Sequence, residues 1–194
     1  MATSSTQSRA SVVATSRAAA SPTYRQLTSD KLVNALLTLD DVPAGYTADK
    51  PERTDPNKNF CGYTQPNKEN GYAAITFQRS STSLIGHTVR QYDSVADASA
   101  QQDALAKAVR AGCSMTDNGT KLKVAQMSAP KLGDRTIGVE LTSQGATVDE
   151  VFVQVGPVVL AVADAGVVGS ADVTQMTAMA KKAIAKYKSA AAQS

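Results

Sequence analysis

The sequence predicts an α+β fold: a mainly antiparallel sheet of about six strands with three helices packed on it. Three observations lead there. Six segments alternate apolar and polar residues, or run apolar, over the length of a strand. Short turn-rich links join most of them, which suits antiparallel neighbours. Three further segments repeat apolar residues at helical spacing, so helices are available to cover the sheet. At 194 residues one domain is the default. With three Phe, six Tyr and no Trp, its core must be built from aliphatic side chains.

Residues 1–26 read as a flexible tether. Residues 2–21 are almost all Ser, Thr, Ala and Gln, too polar to bury the apolar surface that would offset their ordering entropy. The domain is expected over 27–188, with 189–194 as a frayed tail. Thr28 or Ser29 can cap a first helix, with Asp30 in its first turn. Leu32, Val33, Leu36 and Leu37 would share its buried face, and Pro43 and Gly45 would stop it. Residues 50–70 are a polar loop holding Pro51, Pro56 and Pro66. Such a loop is unusual in a compact domain unless something pins it, and Cys61 lies within it.

Residues 72–80 and 84–92 follow as two strands joined by a polar turn. Ser94, with Asp97 three residues on, opens a second helix. Its stripe is Val95, Ala98, Leu105 and Val109, with Gln102 as the weak point, and Gly112 ends it. Asp117-Asn118-Gly119 signals a turn. Asn118-Gly119-Thr120 also spells a glycosylation sequon, a tripeptide of little specificity. Residues 122–127 and 135–142 are two more strands. The centre of the chain is 148–164 (VDEVFVQVGPVVLAVAD). Val151, Val153 and Val155 fall on one face there, and Glu150, Phe152 and Gln154 on the other. Residues 158–163 are apolar without a break, as in a strand covered on both faces. Gly156-Pro157 marks a turn or a bulge between them, and a hairpin with a central second strand is expected. A last helix starts near Asp172, with Ser170 as candidate cap and Val173, Met176, Ala180, Ile184 and Tyr187 at helical spacing.

Charge excludes one class of partner. The formal net charge is +3, but Arg9, Arg17 and Arg25 all lie in the tether. Removing them from the 20 basic residues leaves 17 against 17 acidic ones, so the domain is neutral. A nucleic-acid binder needs a basic face on the fold itself. Lys181, Lys182, Lys186 and Lys188 cluster, which suits a solvated helix face near a C-terminus. No run of 18 apolar residues could span a membrane. The run 11–14 (SVVA) is too short for a signal-peptide core, so an exported form would carry its targeting and anchoring segment ahead of this chain.

The two cysteines would be thiols in a cytosolic protein and one disulfide in an exported one. A Cys61–Cys113 bond would tie the long loop to the end of the second helix. A metal pair fits poorly, with one His and no CxxC. His87, between Ile85 and Val89, is either a ligand group in a cleft or a hydrogen-bonded, partly buried histidine at a sheet edge. Arg79, Arg90 and Arg135 lie on strands; an arginine on a concave sheet face could hold an anion, and otherwise faces solvent. His87, Arg90 and Arg135 are therefore the candidate ligand-binding residues. No nucleophile motif, HExxH or glycine-rich phosphate loop is present, so no catalytic residue, metal or cofactor is assigned. A small hydrolase would need His87 to meet a Ser or Asp from elsewhere in the chain.

Several phrases, taken in order, resemble a family. They are the phrase at 36–45 ending Asp41-Val42-Pro43-Ala44-Gly45, a Cys before a strand pair, and residues 92–98 (YDSVADA) leading into a helix that ends Ala111-Gly112-Cys113. Then come 131–135 (KLGDR), 153–159 (VQVGPVV) and a closing helix. Over 27–188 the chain is similar to actinobacterial lipoproteins and sensor-like domains related to the extracellular domain of the receptor kinase PknH. The resemblance implies an extracytoplasmic domain, lipid-anchored or kinase-linked, with a sheet-and-helix fold and a cleft for a small ligand. It implies binding or sensing without catalysis, and a possible protein partner. A single cysteine pair and no Trp depart from the kinase domains and favour a stand-alone lipoprotein. The matching residues are structural, so no family site residue carries over.

Overall fold

A computed structural model describes residues 24–55, 61, 65–117, 120–167 and 172–192. The expected tether, the Asn118-Gly119 turn and the Ser170 cap fall wholly or largely outside them. The helices are α1 (Ser29–Asn34), α2 (Val95–Ala111) and α3 (Val173–Ala192). A 3-10 turn covers Leu39–Asp41. The strands are β1 (Thr47–Ala48), β2 (Gly71–Ser80), β3 (Ser83–Gln91), β4 (Cys113–Asp117), β5 (Thr120–Met127), β6 (Arg135–Ser143), β7 (Ala146–Val155) and β8 (Val158–Val167). They form one antiparallel sheet in the order β1-β2-β3-β8-β7-β6-β5-β4.

The sheet has eight strands, not about six. β1 is two residues long, too short to show any alternation. β4 lies between the end of α2 and a turn, and its five residues (CSMTD) are too polar to read as a strand. The central hairpin is as expected: Val155 pairs Val158 around Gly156-Pro157. Gly156 has φ +58°, and the ring of Tyr24 occupies the place a Cβ would take. Gln26 donates to the Tyr92 carbonyl (2.9 Å), so the chain is docked on the sheet from Tyr24 onward. β8 lies between β3 and β7 and is apolar on both faces, because helices pack on both sides of it.

One face of the sheet carries α1 and α3. Phe77, Ile85, Val89, Val151, Val153, Leu160 and Val162 pack there on Leu32, Leu36, Leu37, Met176, Ala180 and Tyr187. The other face carries α2, with Ala98, Leu105 and Val109 on Ile137, Val139, Leu141, Phe152 and Val159. Capping starts α2 as the sequence predicts: Ser94 Oγ accepts from the Asp97 N–H (3.1 Å) and donates to Asp97 Oδ2 (2.6 Å). Gln102 is 1% exposed, and neither of its amide atoms has a partner among the described residues. Val95 and Val173, expected on the buried stripes, are exposed. Asp172 caps α3 by accepting from the N–H groups of Thr174 and Gln175. α3 runs through Ala192 rather than fraying after Lys188; the alanines there are strong helix formers, and Ala190 and Ala191 pack against the core.

α1 ends sooner than its apolar spacing predicts. The Leu37 N–H turns away from the helix ladder and donates to His87 Nδ1 (3.0 Å), which lets Leu36 and Leu37 enter the core as an irregular segment.

Candidate functional site

Antiparallel register sets the rows of side chains on the α2 face. One row runs Thr76–Gly86–Ala163–Glu150 across β2, β3, β8 and β7. The next runs Ala74–Thr88–Ala161–Phe152, and the third Tyr72–Arg90–Val159–Gln154. α2 packs over β4 to β8, and among the described residues no helix packs on β2 and β3 on this face. Small side chains floor that open half: Ala74, Gly86 and Thr88. A Cβ built on Gly86 would meet only the Ala163 methyl within 4 Å. The segment after β1 walls the far side, where the Glu52 and Ala74 backbones exchange hydrogen bonds. The result is a trough of about 270 Å³, with Asp49, Lys50, Glu52, Tyr72, Thr76 and Thr88 among its lining.

Charge is arranged unevenly around it. At one end Arg90 donates from Nε and Nη2 to Asp55 Oδ2, each at 3.0 Å. The Asp55 side chain is 1% exposed, so this is a buried ion pair. The guanidinium also stacks over the Tyr72 ring at 5.4 Å. Burial opposes the charge on Arg90, but Asp55 more than offsets that and holds its pKa above the ordinary value. Glu150 is different. It is partly buried, and its carboxylate has no hydrogen-bond partner among the described residues. Burial pushes its pKa up to about 7, with Arg90 pulling the other way.

This predicts a pH effect. The folded pKa of Glu150 lies above its ordinary 4.5, so between the two values the folded chain keeps a proton that the unfolded chain releases. Stability from this group is full below pH 4.5 and falls as pH rises through 7. Above pH 7 the penalty is about 3 kcal/mol. Glu150→Gln should therefore raise stability by about that amount at pH 8 and change little at pH 4.5. Urea melts at the two pH values check it. Asp149 and Asp164, register partners on the opposite face, are raised by burial in the same direction. The difference between variant and wild type isolates Glu150.

The three residues singled out in the sequence do not meet. Arg90 stands at the end of the trough. Arg135 lies on the same face at the margin of α2, paired with Asp103 (2.6 Å). His87 points through the opposite face and is fully buried. Burial, then the nearby Lys186 charge, pushes its pKa down to about 3, against the pull of Asp41. It is a neutral imidazole accepting the Leu37 N–H. The unfolded His protonates first as pH falls, so its contribution is full above 6.5 and lost toward 3. His87→Leu should cost about 1–3 kcal/mol at pH 7, through the orphaned Leu37 N–H, and flatten the acid limb of a stability–pH curve. Glu150, by contrast, reads in the sequence only as the outward residue of an alternating strand. Its small neighbours lie on other strands.

Cys61 and Cys113 are bonded, with their Cα atoms 5.4 Å apart. The bond joins the long loop to the start of β4, just past the C-terminus of α2. Asn67 Nδ2 donates to the Asp97 carbonyl at the other end of α2 (3.3 Å), so the loop is fastened at both ends of the helix.

No protein-family model and no curated protein sequence matches this chain. Among solved structures, the crystal structure of the extracellular domain of PknH from Mycobacterium tuberculosis superposes with a TM-score of 0.68. Sequence identity is 14%, over 86% of this chain and 100% of that one. An uncharacterized protein from Mycobacterium smegmatis has a TM-score of 0.47 at 9% identity, over 77% of this chain and 92% of that one. The sheet and the helices on its two faces therefore belong to a chain that shares the fold of the PknH extracellular domain.

Proposed function

We propose that this chain is a non-catalytic binding or sensing domain that works outside the cytoplasm of an actinobacterial cell, with a small ligand seated in the trough on the α2 face. The open trough carries the reading. A sheet face left without a helix and floored by small side chains has room for a ligand. The fold shared with an extracellular domain supports the compartment. So does the disulfide, since such bonds persist in oxidising surroundings. The Ser/Thr/Ala-rich stretch ahead of the docked Tyr24 would hold the domain away from a lipid anchor attached ahead of it.

Native mass spectrometry of the protein taken from its own envelope, without reducing agent, tests this. We expect an extra mass that leaves on gentle activation and is absent from Gly86→Leu, which fills the trough floor. A bare wild-type protein would refute the ligand and favour a domain that binds a protein partner.

A further inference from the structure

We propose that Asp149 and Asp164 share one proton across β7 and β8, and that the shared proton is an acid-responsive latch fastening the start of α3 to the sheet. The pair lies on the face opposite the trough and does not depend on a ligand there. Register sets the two acids directly opposite each other, with Glu140 opposite Asp149 on its other side. Three acidic residues thus stand side by side across β6, β7 and β8, an arrangement in which like charges repel. Asp149 is only 8% exposed and Asp164 7%, so water relieves little of that repulsion. Two carboxylates sharing a buried site ionise together only at a cost, and the protein avoids it by keeping a proton on one of them.

The surroundings decide which acid holds it. Asp164 accepts the Asp172 N–H and feels the Arg79 guanidinium on β2, and both favour its charged form. Asp149 Oδ1 is buried with no hydrogen-bond partner among the described residues, and Glu140 opposes a charge there. The proton therefore belongs on Asp149, where donation to Asp164 gives the orphaned oxygen a partner. The other charged groups toward this face are Asp172 at the start of α3 and Lys123 on β5, one row further along the sheet. The link 168–171 (VGSA) adds no titratable side chain. A pocket of about 100 Å³, lined by Tyr46, Arg79, Ser83, Asp164 and Asp172 among others, gives protons a way in. Arg79 within it disfavours a metal cation, and Asp172 Oδ1 is already engaged by the N–H groups of Thr174 and Gln175. Burial is the largest cause raising both acids above their ordinary 3.8. On acidification the folded pair thus takes up its proton before the unfolded chain does, so the latch stabilises at low pH and is lost as pH rises through the raised value. Asp172 caps α3 with its side chain while its N–H holds Asp164, which carries the change to the first turn of the helix.

Amide exchange of the disulfide-intact protein at pH 4.5 and pH 7.5, corrected for the intrinsic pH dependence of exchange, tests this. Amides in the first turns of α3, from Thr174 to Ala180, should be protected several-fold more strongly at the lower pH. Glu150→Gln, which silences the raised acid on the other face, should leave that local difference in place. Asp149→Asn, whose amide can donate to Asp164 at any pH, should keep α3 protected at both pH values. Asp164→Ala should loosen the same turns at both, because Asp149 and the Asp172 N–H lose their shared partner. In an NMR titration the Asp149 and Asp164 carboxyl carbons should move together in coupled steps. Equal protection of α3 in the wild type at the two pH values, or a pH difference that persists in Asp149→Asn, would overturn the inference. So would α3 protection that calcium supplies at pH 7.5 and acid does not.

Discussion

Replacing Cys61 and Cys113 by serine is expected to destabilise the domain by roughly 4 kcal/mol, the chain-entropy value for a cross-link spanning 52 residues. Domains of this kind are stable by only about 5–15 kcal/mol, so the variant should sit near the edge of folding at physiological temperature. The loss should be largest locally. Cys61 lies in a polar segment with few apolar anchors, and Cys113 begins the outermost strand of the sheet. Amide exchange should therefore speed up first in the loop and in β4, before β7 and β8 respond. Equilibrium denaturation with and without reductant, followed by exchange mapping, checks both parts. A drop below about 1 kcal/mol would mean that the loop stays ordered in the reduced protein without the bond.

The second large effect is at Arg90. Arg90→Ala should cost about 3–5 kcal/mol, because it leaves the Asp55 carboxylate buried without its cation. The arginine side chain is 18% exposed, which places the expected value toward the lower end. The pair itself need not contribute net stability, since two charges were desolvated to make it. Arg90→Met with Asp55→Leu should consequently be much less destabilised than either single variant. A double-mutant cycle in denaturant measures the coupling, and two single effects that simply add would refute it.

Much of the fold was legible because its signals are local. Ser94 and Asp97 cap α2 within three residues, and Gly156-Pro157 stands between two unmistakable strands. What escaped depends on partners distant in sequence. β1 is a strand only because Gln78 and Phe77 offer it an edge. α1 stops where it does because His87, 50 residues on, takes the Leu37 N–H. The trough was the least legible part. Its floor gathers Ala74, Gly86 and Thr88 from two strands, and small residues announce nothing singly. Glu150 gains its raised pKa only once the fold buries it. The cysteine pair was visible as a choice between thiols, metal and a bond, and the fold brought the two sulfurs together.

The strand order has a consequence for how the chain folds. β2 and β3 can pair as a hairpin as soon as they are made, and β4 to β7 can form a meander on the far side of α2. β8, nearly the last element of the chain, must slot between β3 and β7, and until it does both of those inner strands are open edges. The largest entropy loss on the folding route is thus deferred to closure of a contact between the two halves of the chain, which should make folding slow for a domain of this size. A chain emerging from synthesis or export would pass through a state with two unfinished sheets, each able to pair with a neighbour instead. Truncation within β8 should leave aggregating halves rather than a smaller folded domain.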